Sequence, residues 1–188
     1  MVHGEYAISQ SFKPWDELGS SPSGLLELYS LEPAYTSDDR TIVKEALEFA
    51  LEFAQSPCKW VKAGFHAGPD GYDVWKLALE SGRADGFGTA YNAAFWQESR
   101  MLAALVLEEA AERLGGLVAG ELRETASRYG EAARELNAVA ELFPFHTRRF
   151  EHIREAEAVR TASRAIANAG HAERKGLESL ARIVRMLA

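Results

Sequence analysis

The sequence predicts a mainly α protein: an up-and-down bundle of about five helices, preceded by a short extended or β arm. Three observations carry that prediction. Beyond Tyr35, apolar residues recur at helical spacing instead of alternating. Glycines and prolines gather at the seams between these periodic stretches, where they act as punctuation. The links between the longest stretches are short, which sets consecutive helices antiparallel.

Residues 1–35 stand apart from the rest. "KPWDELGSSPSG" is turn-forming, while the segments around Tyr6 and from Leu25 to Leu31 read as short strands or an edge strand. They are too few to build a sheet alone, so the arm or linker (1–35) is set against a helical bundle (36–188). The first helix opens at Thr36 or Ser37 as N-cap, with Asp38 and Asp39 where the helix dipole favours anions. Its apolar stripe includes Ile42, Leu47, Ala50 and Ala54, and Pro57 ends it. A shorter second helix is capped by Asp70, turns Val74, Trp75, Leu77 and Ala78 inward, and stops at Gly82. The third runs from Thr89 to Leu114 and stops at Gly115. Its residues 101–107, "MLAALVL", are apolar nearly all round, so this stretch is expected to be the buried central rod on which the whole bundle depends. The fourth spans about 118–142 and is broken by Pro144. The fifth spans about 155–187, with "NAGHAERKG" as a candidate kink.

Composition narrows the function. A net charge of −7 repels phosphate backbones, so nucleic acid is not expected as a partner. No apolar run approaches bilayer-spanning length, so no membrane span is expected. Cys58 is the only cysteine, which removes any intrachain disulfide, and the N-terminal residues lack a signal-peptide pattern, so cytoplasmic residence is the expectation. No phosphate-loop or dinucleotide fingerprint occurs and no cofactor is expected.

Chemistry-bearing residues cluster at the start of the third helix. Asn92, Trp96 and Arg100 form one i,i+4 row, and Tyr91, Phe95, Glu98 and Leu102 the next. A carboxylate so near the apolar stretch must be paired or hydrogen-bonded. Tyr91, Asn92, Trp96, Glu98 and Arg100 are therefore ligand-binding candidates, with Glu98 as acid or base if the protein is an enzyme. The plainer reading is an internal ion pair with the aromatics packed around it. Arg148 and Arg149, within "LFPFHTRRFEHIR", are anion-binding candidates whose plainer role is a solvated turn. No Glu-x-x-His or His-x-x-x-His pair exists, so a metal is not expected. A single-metal centre would have to assemble His66, His146 and His152 from separate elements. Cys58 has no evident base beside it.

The segments "PWDELG", "LELYSL", "IVKEALEFAL", "GYDVWKLALE", "GTAYNAAFWQESR" and "LFPF", in that order, resemble the C-terminal helical region of uncharacterised bacterial proteins. Those proteins carry a papain-like N-terminal half of the butirosin-biosynthesis-protein-H type. The resemblance implies that residues 1–31 correspond to the last strands and linker of that half. This chain would then be the accessory bundle, without the family's chemistry, since nothing in it matches a catalytic cysteine–histidine pair. The expected function is a helical binding or accessory module whose partner is another protein, a second copy or a small ligand. Enzymatic alternatives rest on Glu98 or on the histidines.

Overall fold

A computed structural model of the chain describes residues 32–33, 35–147 and 150–188. Five helices follow in order: α1 (Asp39–Gln55), α2 (Pro69–Glu80), α3 (Gly86–Leu114), α4 (Gly116–Leu142) and α5 (Ala156–Leu187). No strand occurs among the described residues, and no described helix is long and apolar enough to cross a membrane. The expected arm and edge strand within 1–31, and Arg148 and Arg149, lie outside the described residues.

The bundle has four positions filled by five helices. Neighbouring α3 and α4 pack along their lengths, as do α4 and α5. The one-residue link at Gly115, with φ of 61°, forces the first pair antiparallel. The fourth position is a broken rod made of α1 and α2 end to end. Arg40, near the start of α1, donates to the Met186 carbonyl near the end of α5 (2.8 Å). Arg174, in the second half of α5, donates to the carbonyl of Pro69, where α2 begins (3.0 Å), and to Asp73 (2.6 Å). Both short helices thus run antiparallel to α5, one above the other. The result is an up-down-up-down order in which α3 and α5 face each other across the bundle axis.

The break has a local cause. Pro57 cannot continue α1, and the chain loops out before returning at Gly68. Gly68 has φ of +65°, and a Cβ there would sit 3.2 Å from the Ala54 carbonyl oxygen. Only glycine lets the chain come back this close to the end it left. Pro69 then starts α2 at a position where a missing N–H costs nothing.

The core follows this division in two tiers. One joins Tyr72, Trp75 and Leu79 of α2 to Ala90 and Ala93 of α3, Leu136, Val139 and Phe143, and the alanine-rich first half of α5. The other joins Leu47 of α1 to Leu107, Ala110 and Ala111, Leu122 and Tyr129, and Leu180, Ile183 and Leu187.

Several expectations are corrected here. The most deeply buried helix is α5, which α1, α2 and α4 all touch, and not the helix that carries residues 101–107. Within that stretch only Leu107 is buried; Met101, Leu102, Leu105 and Val106 are 42–60% exposed. The reason is that α3 carries apolar residues on two opposite faces, and the fold covers one. Asp38, not Thr36 or Ser37, caps α1: its carboxylate accepts from the Thr41 N–H (3.0 Å), and that bond holds its carboxyl below the usual range. Gly68, not Asp70, precedes the first turn of α2. On α2, Val74 and Leu77 face outward, whereas Tyr72, Trp75 and Leu79 are buried. The stretch 168–176 is unbroken helix, its glycines serving packing and not a kink.

Candidate functional site

At the junction of the two tiers, opposite the break in the first rod, one carboxylate is buried on the bundle axis. Glu173 of α5 is 6% exposed. Arg100 reaches it across the bundle from α3. The Arg100 Nε donates to Glu173 Oε2 (2.8 Å) and an Nη to Oε1 (3.0 Å), the bidentate arrangement that suits guanidinium and carboxylate. Tyr72 of α2 donates its hydroxyl to Oε2 at 2.5 Å. The guanidinium also lies over the Trp96 ring (4.8 Å) and near that of Tyr72 (5.8 Å), so its faces meet π-electrons rather than bare hydrocarbon. Either charge alone would be untenable at this depth; together with these donors each is satisfied.

Two glycines on α5 make the arrangement possible. Gly170 and Gly176 stand one turn before and one turn after Glu173. A Cβ on Gly170 would lie 3.0 Å from the Tyr72 Cβ, and one on Gly176 would lie 2.9 Å from Tyr129 Cε2. The two tyrosine rings therefore rest on the bare backbone of α5 and bracket the carboxylate.

The electrostatics follow. Burial, and then the Glu173 carboxylate, push the pKa of the Tyr72 hydroxyl far above the ordinary tyrosine value of 10.0, with Arg100 opposing them. Tyr129 is raised for the same reasons in the same order. Burial is the largest influence and works against the Arg100 charge, but the Glu173 carboxylate together with Tyr72 and Tyr129 outweighs it, and the guanidinium is held more firmly protonated than usual.

This polar group forms the floor of a cavity of about 450 Å³ between α1, α3 and α5. The hollow exists because α1 presents Ala46, Ala50 and Ala54 as an i,i+4 row toward Ala103 of α3 and Leu177 of α5. Phe49 and Phe53 stand at its rim, with Trp60 packed edge-on against Phe49 (5.1 Å). Tyr129 lines the cavity, and its hydroxyl has no partner among the described residues.

The candidates named from sequence divide. Arg100 and Trp96 belong to the buried group, and Asn92 lines a separate groove between α2 and α3. Tyr91 and Glu98 lie on the outer face of α3, where Tyr91 stacks with Phe87 and Phe95 and meets Phe145. Glu98 is exposed and has no cationic partner among the described residues. The internal ion pair therefore forms, but with Glu173 as its acid. His66 and His146 are exposed, whereas the His152 ring meets the Leu142 carbonyl (2.5 Å) and stacks on Phe143. Among the described residues no three histidine, cysteine, aspartate or glutamate side chains come together as a metal site. Cys58 is exposed on the loop after α1.

Sequence reasoning passed over Glu173, Tyr72 and Tyr129 as site residues. A signal for Glu173 was present: the α5 stripe runs through Ala162, Ile166 and Ala169 and resumes at Leu177, and residue 173 fills the gap at i+4 from one and i−4 from the other. No known family model, characterised protein or solved structure matches the chain.

Proposed function

We propose that the protein is a binding module whose ligand is a small, mainly apolar, uncharged molecule carrying one oxygen acceptor, held in the cavity above Arg100 and Tyr129. The observation that carries this reading is an apolar hollow with a charge-balanced polar floor. Its volume of about 450 Å³ falls in the range of small-molecule sites. Both Glu173 oxygens are already engaged, so the floor offers donors: the Tyr129 hydroxyl and the remaining guanidinium N–H groups. Because Arg100 is neutralised by Glu173, a carboxylate ligand would bring an unbalanced charge into a site of low polarity. A carbonyl or hydroxyl oxygen would accept the same hydrogen bonds without that cost.

Three probes of similar size test the reading: cyclohexyl phenyl ketone, the hydrocarbon benzylcyclohexane and cyclohexylbenzoate. The ketone is expected to raise the melting temperature most and the benzoate least. Tyr129→Phe is expected to reduce the ketone to the level of the hydrocarbon, and Ala103→Phe to abolish all three effects. No binding of any probe at about 1 mM, or tightest binding by the benzoate, would refute it.

A further inference from the structure

The outer face of α3 carries a run of large apolar side chains that the described fold leaves exposed. Phe87, Tyr91 and Phe95 follow one another at i,i+4, with rings stacked at 6.4 and 6.0 Å. Met101, Leu102, Leu105 and Val106 continue the stripe. These side chains are 42–60% exposed. With about 150–200 Å² for each large apolar side chain, their exposed parts amount to roughly 600 Å². That is the upper end of what a monomer displays. It is also close to the apolar share, about 65% of some 800 Å², of one side of a homodimer interface.

We infer that this face is where a second copy of the chain docks, with the two α3 helices antiparallel about a two-fold axis through the middle of the stripe. Charge and shape select this occupant. The stripe has an aromatic half (Phe87 to Phe95) and an aliphatic half (Met101 to Val106). An antiparallel two-fold lays each half on the other, as a self-complementary surface requires. Glu98, the one charge inside the stripe, has no cation beside it among the described residues. Arg134 of α4 is exposed and likewise has no carboxylate partner among them. Gln97, Met101, Gly130 and Arg134 line one groove of about 440 Å³ beside the stripe, so Arg134 lies level with residue 97. A two-fold at that level sets each Glu98 at the height of the partner's Arg134. It also offers the groove to the partner's aromatic side chains.

Sedimentation of the full chain from about 1 to 100 µM is expected to show a species of twice the 20.7 kDa chain mass. Leu105→Glu, an exposed change, is expected to yield monomers with helicity retained. Glu98→Arg and Arg134→Glu are each expected to weaken the dimer about tenfold, and together to restore it to within about threefold. A wild-type chain that stays monomeric throughout would overturn the inference. So would a dimer indifferent to Leu105→Glu. Should that variant unfold, the charge exchange decides: additive weakening in the double variant overturns the inference and recovery sustains it.

Discussion

Replacing Glu173 with alanine removes the acceptor of three hydrogen bonds, two from Arg100 and one from Tyr72, and leaves a guanidinium whose side chain is only 16% exposed without a counter-charge. Breaking a buried pair from one side costs about 3–5 kcal/mol, because the surviving charge is stranded. Glu173 sits on the bundle axis, and its loss opens a cavity between Tyr72 and Tyr129, so the expected loss lies toward the upper part of that range. Removing both charges should cost less than the sum. In Arg100→Met/Glu173→Leu the stranded charge is gone and hydrocarbon fills the space, so the coupling in a double-mutant cycle is expected to exceed about 2 kcal/mol. Urea unfolding followed by far-UV circular dichroism measures each value by linear extrapolation. A loss below about 1 kcal/mol for Glu173→Ala, or single changes that add within about 0.5 kcal/mol, would show that the pair is not the buried, mutually dependent unit described here.

Further outcomes follow from the same packing. Gly170→Ala and Gly176→Ala should each destabilise by about 1–3 kcal/mol, since the new methyl meets a tyrosine at 3.0 and 2.9 Å. Gly120→Ala, a helical site with nothing within 4 Å, should stabilise by about 0.5–1 kcal/mol in the same urea assay. Tyr72 and Tyr129 hold their protons more tightly folded than unfolded. The stability they supply is therefore complete below pH 10.0 and lost as pH rises above that value, which unfolding curves across alkaline pH will detect. Asp38 is shifted the other way, so its contribution is present above pH 3.8 and lost below it. Asp38→Ala should destabilise the fold at neutral pH and remove that part of the acid dependence.

The helices were legible because their signals are local. Gly82, Gly115 and the prolines at 57 and 144 mark real ends, and the stripe through Leu122, Ala126, Tyr129 and Leu136 is the buried face of α4. Periodicity fails where a helix has more than one apolar face. On α3 the residues 101–107 are apolar all round, and nothing in the order of residues states which side a neighbour will cover. Glu98 and Glu173 show the same limit for charge. Both are glutamates on long helices, one next to the most apolar segment of the chain and the other amid "HAERK", yet the second is the buried one.

The amino-acid sequence by itself determined five helices, their approximate ends and their alternating direction, because turn residues, caps and apolar spacing act over a few residues. Only the tertiary structure decided that α1 and α2 stack into one broken rod, that α5 rather than α3 is the most buried helix, and that Arg100 meets Glu173 seventy-three positions away. Those outcomes depend on which faces of distant segments are pressed together, and burial, unlike helical propensity, is a property of the whole assembled bundle.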